Sequence, residues 1–360
     1  MHDSAEAVTG PAHAAEPSFA PETTGAGAAF VAAAAAFDAA AAGRLREHTF
    51  VVGTTPVTLR LAGPALEPAI LPALAHLAAP PREPQFTVLA WDSASTGVGL
   101  PAAQVTAHGA GQSDGRVEVV YQRAFDILTV IDHRVATAVV WVPDARAVPS
   151  NEIAAPLRVA FHLWSQRQGT RVVHGAAVGE AAGAVLVAGR SGVGKSTVAL
   201  SCLSAGFGFL GDDYVLVGDD SDPTVASLYC SAKLNFDQLH RFPHLRARLL
   251  NPDRIREEKP VYLLGDLPAT RMYSSLPLRA IVVPKVTGGP TRLVPAPPAL
   301  VLAALAPSTM FQLPHCGAET LRWFAALAGR VPGYTLELGP NLEDIPATVV
   351  AALTRAARRP

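Results

Sequence analysis

The chemistry of this chain begins with eight consecutive residues: Gly189, Arg190, Ser191, Gly192, Val193, Gly194, Lys195 and Ser196. They fit G-x-x-x-x-G-K-[ST], a phosphate-binding loop. Glycines at this spacing let the backbone curl so that successive N–H groups point at phosphate oxygens. A helix starting at the lysine adds the positive end of its dipole. Lys195 can then reach the β- and γ-phosphates of a nucleotide, the Ser196 hydroxyl can ligate Mg²⁺, and Thr197 extends the same helix start. The alternative is a chance glycine-rich turn, but the chain has 29 glycines and only four lysines, which makes the full pattern a rare coincidence.

Two carboxylates follow, Asp212 and Asp213, the second 18 residues after Lys195. Phosphoryl transfer needs a metal to neutralise developing charge and a group to accept the nucleophile's proton. An Asp-Asp pair where a short strand meets a turn could serve both needs; a solvated acidic turn is the alternative. His174 lies in an apolar stretch, where a core histidine is the plainer reading.

The flanking pattern supplies the elements these residues need. Residues 184–188 (AVLVA) read as a buried strand. Residues 196–205 carry apolar side chains at helical spacing and stop at Gly206, a natural C-cap. Residues 171–178 read as the strand holding His174, turning at 179–183 into the strand before the loop. Residues 214–217 read as a strand after the Asp pair.

Length and composition bound the rest. A chain of 360 residues suggests two or so domains, and 49% hydrophobic content with 16% charge supports a sizeable core. A net charge of −1 gives no argument for nucleic acid or an acidic membrane surface. No stretch looks able to span a bilayer; 26–42 is the nearest and is mostly alanine. The start lacks a basic n-region and carries Asp3 and Glu6, unlike a signal peptide. Cys202, Cys230 and Cys316 are sparse and without metal spacing, which fits a reducing cytoplasm.

Along the chain, residues 1–25 read as disordered, and 28–42 as a marginal helix or a linker, together an N-terminal segment of 1–43. Strands at 49–52, 56–61, 85–91, 117–120, 125–131 and 136–142, with a helix at 67–78, make a small α/β domain over 44–150. Asp132, His133 and Arg134 read as a turn between two strands. A helix at 156–168, with Leu157, Ala160, Phe161 and Trp164 on one face, leads into a second domain over 155–358. That domain adds an acidic turn at 219–223, an exposed charged stretch at 246–259, a strand at 279–283 before Pro284, and helices at 299–306 and 318–330. A strand at 334–338 precedes a last helix, capped by Asn341 and running to about Arg358.

The segment 174–217 resembles the catalytic core of HPr kinase/phosphorylase, the bacterial serine kinase of the sugar-transport phosphocarrier. The family has a strand histidine, a G-x-S-G-x-G-K-S loop, then a glycine before an Asp pair; here the histidine lies 21 residues before Lys195. The run HGAAV…GRSGVGKST…GF…GDDYVLV is more similar still to divergent HPr-kinase-related proteins, some of which phosphorylate a serine on ribosomally made precursor peptides. The likeness is close over these residues, loose over the rest of 150–350, and absent before about residue 45. It implies an α/β fold: a P-loop kinase-like catalytic domain of the HPr kinase C-terminal type, preceded by the small α/β domain.

Carried over residue by residue, the resemblance implies that Asp213 takes the proton from the substrate hydroxyl. Lys195 holds the transferring phosphate, and Ser196 binds Mg²⁺. His174 stands near the γ-phosphate, and Asp212 supports the metal or the base. It implies ATP and Mg²⁺ as cofactors, a peptide or small protein with a hydroxyl acceptor as partner, and a homo-oligomer, since family members are hexamers. The family's Glu-rich E-I-R-G-like segment is missing, the corresponding region reading LYCSAKLNF, and Thr197 stands where an acidic residue is usual. The reverse phosphorylase activity and recognition of HPr itself are therefore not implied. Lys233, Lys259 and Arg279 are candidates for the missing charge stabilisation, with a surface or salt-bridge role as the alternative for each. Three rival readings stay open: a kinase of a small-molecule alcohol, a nucleotide-binding regulator or ATPase that transfers nothing, and a relative of phosphoenolpyruvate carboxykinase.

Overall fold

The computed structural model describes residues 25–100, 112–268 and 271–357. Nearly all of the expected disordered start, and the end of the last helix near Arg358, lie outside them. In chain order the elements of the first half are α1 (Ala26–Ala41), β1 (Leu45–Val52), β2 (Thr55–Ala62), α2 (Glu67–Leu74), β3 (Phe86–Asp92), α3 (Ser93–Thr96), β4 (Gln112–Ser113), β5 (Val117–Gln122), β6 (Ile127–Asp132), β7 (Thr137–Val142), α4 (Ser150–Ala154) and α5 (Arg158–Ser165). The second half continues with β8 (Thr170–Glu180), β9 (Gly183–Ala188), α6 (Lys195–Ser204), β10 (Gly208–Gly211), β11 (Tyr214–Gly218), β12 (Thr224–Ala226), β13 (Ser231–Lys233), β14 (Val261–Leu263), β15 (Ser275–Val286), β16 (Arg292–Pro295), α7 (Pro298–Met310), α8 (Ala318–Arg330), β17 (Gly333–Leu338) and α9 (Asp344–Ala357).

The first sheet has seven strands in the order β1-β2-β3-β7-β6-β5-β4. Side chains alternate across it, as a period of two requires. Along β7, Val139 and Trp141 face α1, while Ala138 and Val140 face the cluster that holds α2 and α5. The sequence left 28–42 as a marginal helix or linker. Here it is part of the first sheet's packing, because Ala29, Ala33, Phe37 and Ala40 form a buried stripe over Trp91, Leu128 and Trp141. Small alanines let the helix lie close to large sheet residues, so few bulky side chains were needed.

The second sheet centres on a hairpin, β8 with β9, and a parallel run from β9 to β15 to β17. The far ends of the long strands β8 and β15 are bridged by β11 and β12. α6 and α9 pack on one face and α7 and α8 on the other, giving three layers. The fold is mixed α/β. No helix among the described residues is long and apolar enough to cross a membrane.

Several expected boundaries move, and the helix expected over 156–168 spans Arg158–Ser165, with Leu157 before it in a left-handed conformation. β15 continues through Pro284 to Val286. Ile281 and Thr287 donate their N–H groups towards β17, so the N of Pro284 faces the other side, and β9 has left that side after its last pairing at Val282. No ladder bond is lost there. The last helix starts at Asp344, so Asn341 precedes it by a turn and does not cap it.

Candidate active site

The 189–196 loop leaves the end of β9 beside the end of its parallel neighbour β15, which β17 flanks in turn, the usual ligand position in such sheets. The turn needs glycine. Gly189 has φ +144° and Gly194 φ +107°, and a Cβ on Gly194 would stand 2.9 Å from the Leu338 side chain. α6 then begins at Lys195, its first N–H groups turned to the loop. The lysine is buried, and its ammonium donates to the carbonyls of Gly189 (2.7 Å) and Arg190 (3.2 Å). Burial lowers its pKa.

The Asp pair arrives from the turn between β10 and β11. Adjacent residues of a strand face opposite sides. Asp213 has a left-handed backbone, φ +70°, and this lets both carboxylates line one cavity. Asp212 accepts from Ser196 Oγ at Oδ1 (3.0 Å) and from the backbone N–H of Lys233 at Oδ2 (2.9 Å). Burial first, and then the neighbouring Asp213, raise its pKa. Asp213 Oδ2 accepts from Lys233 Nζ at 2.6 Å, and Oδ1 faces His174 Nε2 at 3.3 Å. Burial works to raise the Asp213 carboxyl, but the Lys233 ammonium and then His174 overcome it and hold the acid well below the usual carboxylate range.

His174 is held from behind. A carboxylate only accepts, so the ring N–H facing Asp213 is on Nε2 and Nδ1 is the acceptor. Gln312 Nε2 donates to Nδ1 (2.9 Å), and Tyr214 O–H donates to Gln312 Oε1 (2.7 Å). Ser308 Oγ stands within hydrogen-bond distance of both Nδ1 and the Gly189 carbonyl (2.9 Å), its one proton serving either, so the histidine and the loop share one polar network.

One cavity of about 290 Å³ collects most of the residues the sequence singled out: His174, Ser191, Gly192, Gly194, Lys195, Ser196, Thr197, Asp212 and Asp213. Gly189, Arg190 and Val193 shape the loop without lining it; the Arg190 side chain is exposed and only its carbonyl is engaged. Of the three extra cations, Lys233 pairs with Asp213 and Lys259 Nζ reaches Ser191 Oγ (3.2 Å). Arg279 does not belong here: it pairs with Asp222 (2.6 Å) on the acidic turn. Gln312 and Ser308 stand on no motif, and only the packing of α7 against β8 brings them to the histidine. Tyr214 lies in the run after the Asp pair, but its bond to Gln312 could not be read from it.

Ser196 Oγ and Asp212 Oδ1 are hard oxygen donors converging beside the loop, which suits a small divalent cation completed by phosphate and water oxygens. Among the described residues no three His, Cys, Asp or Glu side chains gather as a metal cage. That donor set fits Mg²⁺ carried with a nucleotide better than a resident structural ion.

No family model and no curated protein matches the chain. Among solved structures it is similar to the Hpr(Ser) kinase/phosphatase from Coxiella burnetii, with 9% identity and a TM-score of 0.30, over 52% of this chain and 96% of that one. So distant a likeness carries no weight for the activity, which rests on the geometry of the site.

Proposed function

We propose that this chain transfers the γ-phosphate of ATP to a hydroxyl, and that the acceptor is a serine of a peptide or small protein. The observation that carries the reading is Asp213: a carboxylate held ionised by Lys233 and His174, in the cavity that also holds Lys195 and the Ser196–Asp212 pair. The acceptor hydroxyl gives its proton to Asp213 as its oxygen bonds to the γ-phosphorus. The bond from that phosphorus to the β–γ bridging oxygen breaks, and ADP leaves with the electron pair. Lys195 exchanges its two loop carbonyls for phosphate oxygens, and the loop N–H groups meet the negative charge as it shifts. Mg²⁺ at Ser196 and Asp212 would neutralise charge on the β- and γ-phosphates. His174 and Lys233 orient Asp213, and its proton then passes to solvent.

The test uses γ-labelled ATP, Mg²⁺, serine peptides and a panel of small alcohols, with wild type and Asp213→Asn in parallel. The expected result is label on a peptide serine, reduced by about 100-fold or more in the variant. Label on a small alcohol alone would keep the mechanism and change the substrate. Free phosphate as the sole product, equal in both proteins, would overturn the assignment.

A further inference from the structure

A second cavity, of about 460 Å³, adjoins the first across Asp213. The two share His174, Ser191, Asp213, Lys233 and Lys259. Anything seated in the second therefore meets the same carboxylate from the side away from Thr197 and α9. Its remaining walls come from both halves of the chain: Phe125 in the turn between β5 and β6, Asn151 in α4, Arg158 at the start of α5, and Tyr214, Glu258, Val261 and Gln312 from the second half.

Arg158 is the unexplained residue of this wall. It is only 9% exposed. Its Nη2 donates to Glu152 Oε1 (2.8 Å), and its guanidinium lies 5.2 Å over the Tyr214 ring. Its Nε is buried with no partner. A buried donor without an acceptor is costly, and the fold spends further strain to keep it there. Leu157, the residue before it, has a left-handed φ of +57°. Tyr229 O–H donates to Pro156 O (2.9 Å), and Ser231 Oγ donates to Ala154 O. The strand that ends in Lys233 thus clamps the segment that presents Arg158. At the mouth stands a second cation, Lys259, an exposed side chain whose only hydrogen bond among the described residues is to Ser191. Glu258, also on this wall, pairs its Oε1 with Arg254, and its Oε2 is buried without a partner.

Building on the phosphotransferase reading, we propose that this second cavity is the acceptor site, built jointly by the two halves of the chain. It takes a peptide segment in which an acidic residue stands beside the hydroxyl to be phosphorylated. Arg158 receives that carboxylate on the guanidinium edge Glu152 leaves open, and Lys259 adds charge at the entrance. The cavity's open mouth and walls drawn from both halves of the chain suit a peptide segment better than one small alcohol.

The experiment compares serine peptides identical except for Asp, Ala or Lys beside the serine. Label transfer gives kcat and KM, and fluorescence anisotropy gives peptide binding without ATP. The Asp peptide should show a KM about tenfold below that of the Ala peptide, a preference that Arg158→Gln erases while the KM for ATP stays within about twofold. Should Arg158→Gln fail to fold, the exposed Lys259→Gln serves instead, and should cut the preference by about threefold. Transfer that ignores the neighbouring residue and both variants would overturn this inference and keep the phosphotransferase reading. Binding that follows the acidic residue and the variants, with no label transferred, would support the site and overturn the phosphotransferase reading.

Discussion

At the scale of residues, the decisive pair is Asp213 with Lys233. An ion pair 2.6 Å long, largely shielded from water, does two things at once. It keeps the carboxylate ionised and fixes its orientation, with Oδ1 turned towards His174. Lys233→Met removes the cation that opposes the burial of Asp213, so the Asp213 pKa must rise. The acid limb of the pH–rate profile for kcat/KM should then move to higher pH, with kcat lower by about 100-fold. A profile that keeps its acid limb would show that Lys233 does not control the base. Asp212 shifts the other way although it is the adjacent residue, because burial and then the Asp213 charge raise it, and the Lys195 ammonium does not hydrogen-bond it and offsets this only in part. One neighbour is kept ready for a proton and the other is poised to gain from a cation.

At the scale of elements, the site depends on where strands end. β9 stops at Ala188 while β15 runs on past Pro284, and the loop curls into the space this opens. Further away, α1 shows how a helix of weak amphipathic pattern is held by a sheet. Phe37 is its largest fully covered side chain, 3% exposed, against Trp91 and the β5–β7 face. Phe37→Ala should lower stability by about 3 kcal/mol through lost burial and the cavity left behind. Urea denaturation followed by tryptophan fluorescence reads this directly, since Trp91 and Trp141 lie in the same cluster. A change below about 0.5 kcal/mol would mean that α1 is not held on the sheet in solution.

At the scale of the molecule, the two sheets share one core. Phe50, Leu59 and Val140 of the first belong to the same buried cluster as Val172, Leu216 and Ala226 of the second. A polar tie reinforces it. Glu118 on β5 accepts from His133 (2.7 Å) and from His315, in the loop after α7 that also carries Gln312. Burial acts to raise the Glu118 pKa, but the two histidines outweigh it and bring the acid down to about 2. A depressed acid stabilises the fold above its unfolded pKa and loses that contribution as pH falls through the folded one. Discounted for the water that reaches this cluster, the contribution is about 1–2 kcal/mol. Glu118→Gln should therefore lower Tm at pH 7, and the gap from wild type should close between about pH 4.5 and pH 2. A gap that persists unchanged to pH 2 would assign the loss to packing instead.

The sequence by itself determined the local units. Strand, glycine loop and helix around Lys195 were legible because the phosphate-binding turn demands glycines at fixed offsets, and apolar periodicity marks what flanks it. The hairpin into β9, the Asp pair at a strand end and the turn at 133–136 were legible for similar reasons. Only the tertiary structure decided which distant groups serve those units. Lys233 was one of several cations until the 231–233 strand laid it on Asp213, and Arg279 was its equal until it paired with Asp222. Gln312, Ser308 and Arg158 carry no motif, since their roles come from long-range packing rather than from their neighbours in the chain. A local pattern reports the forces within a turn or a helix. The partner of a buried charge is chosen by the whole fold, which must bring an opposite charge or a donor to it from wherever the chain allows.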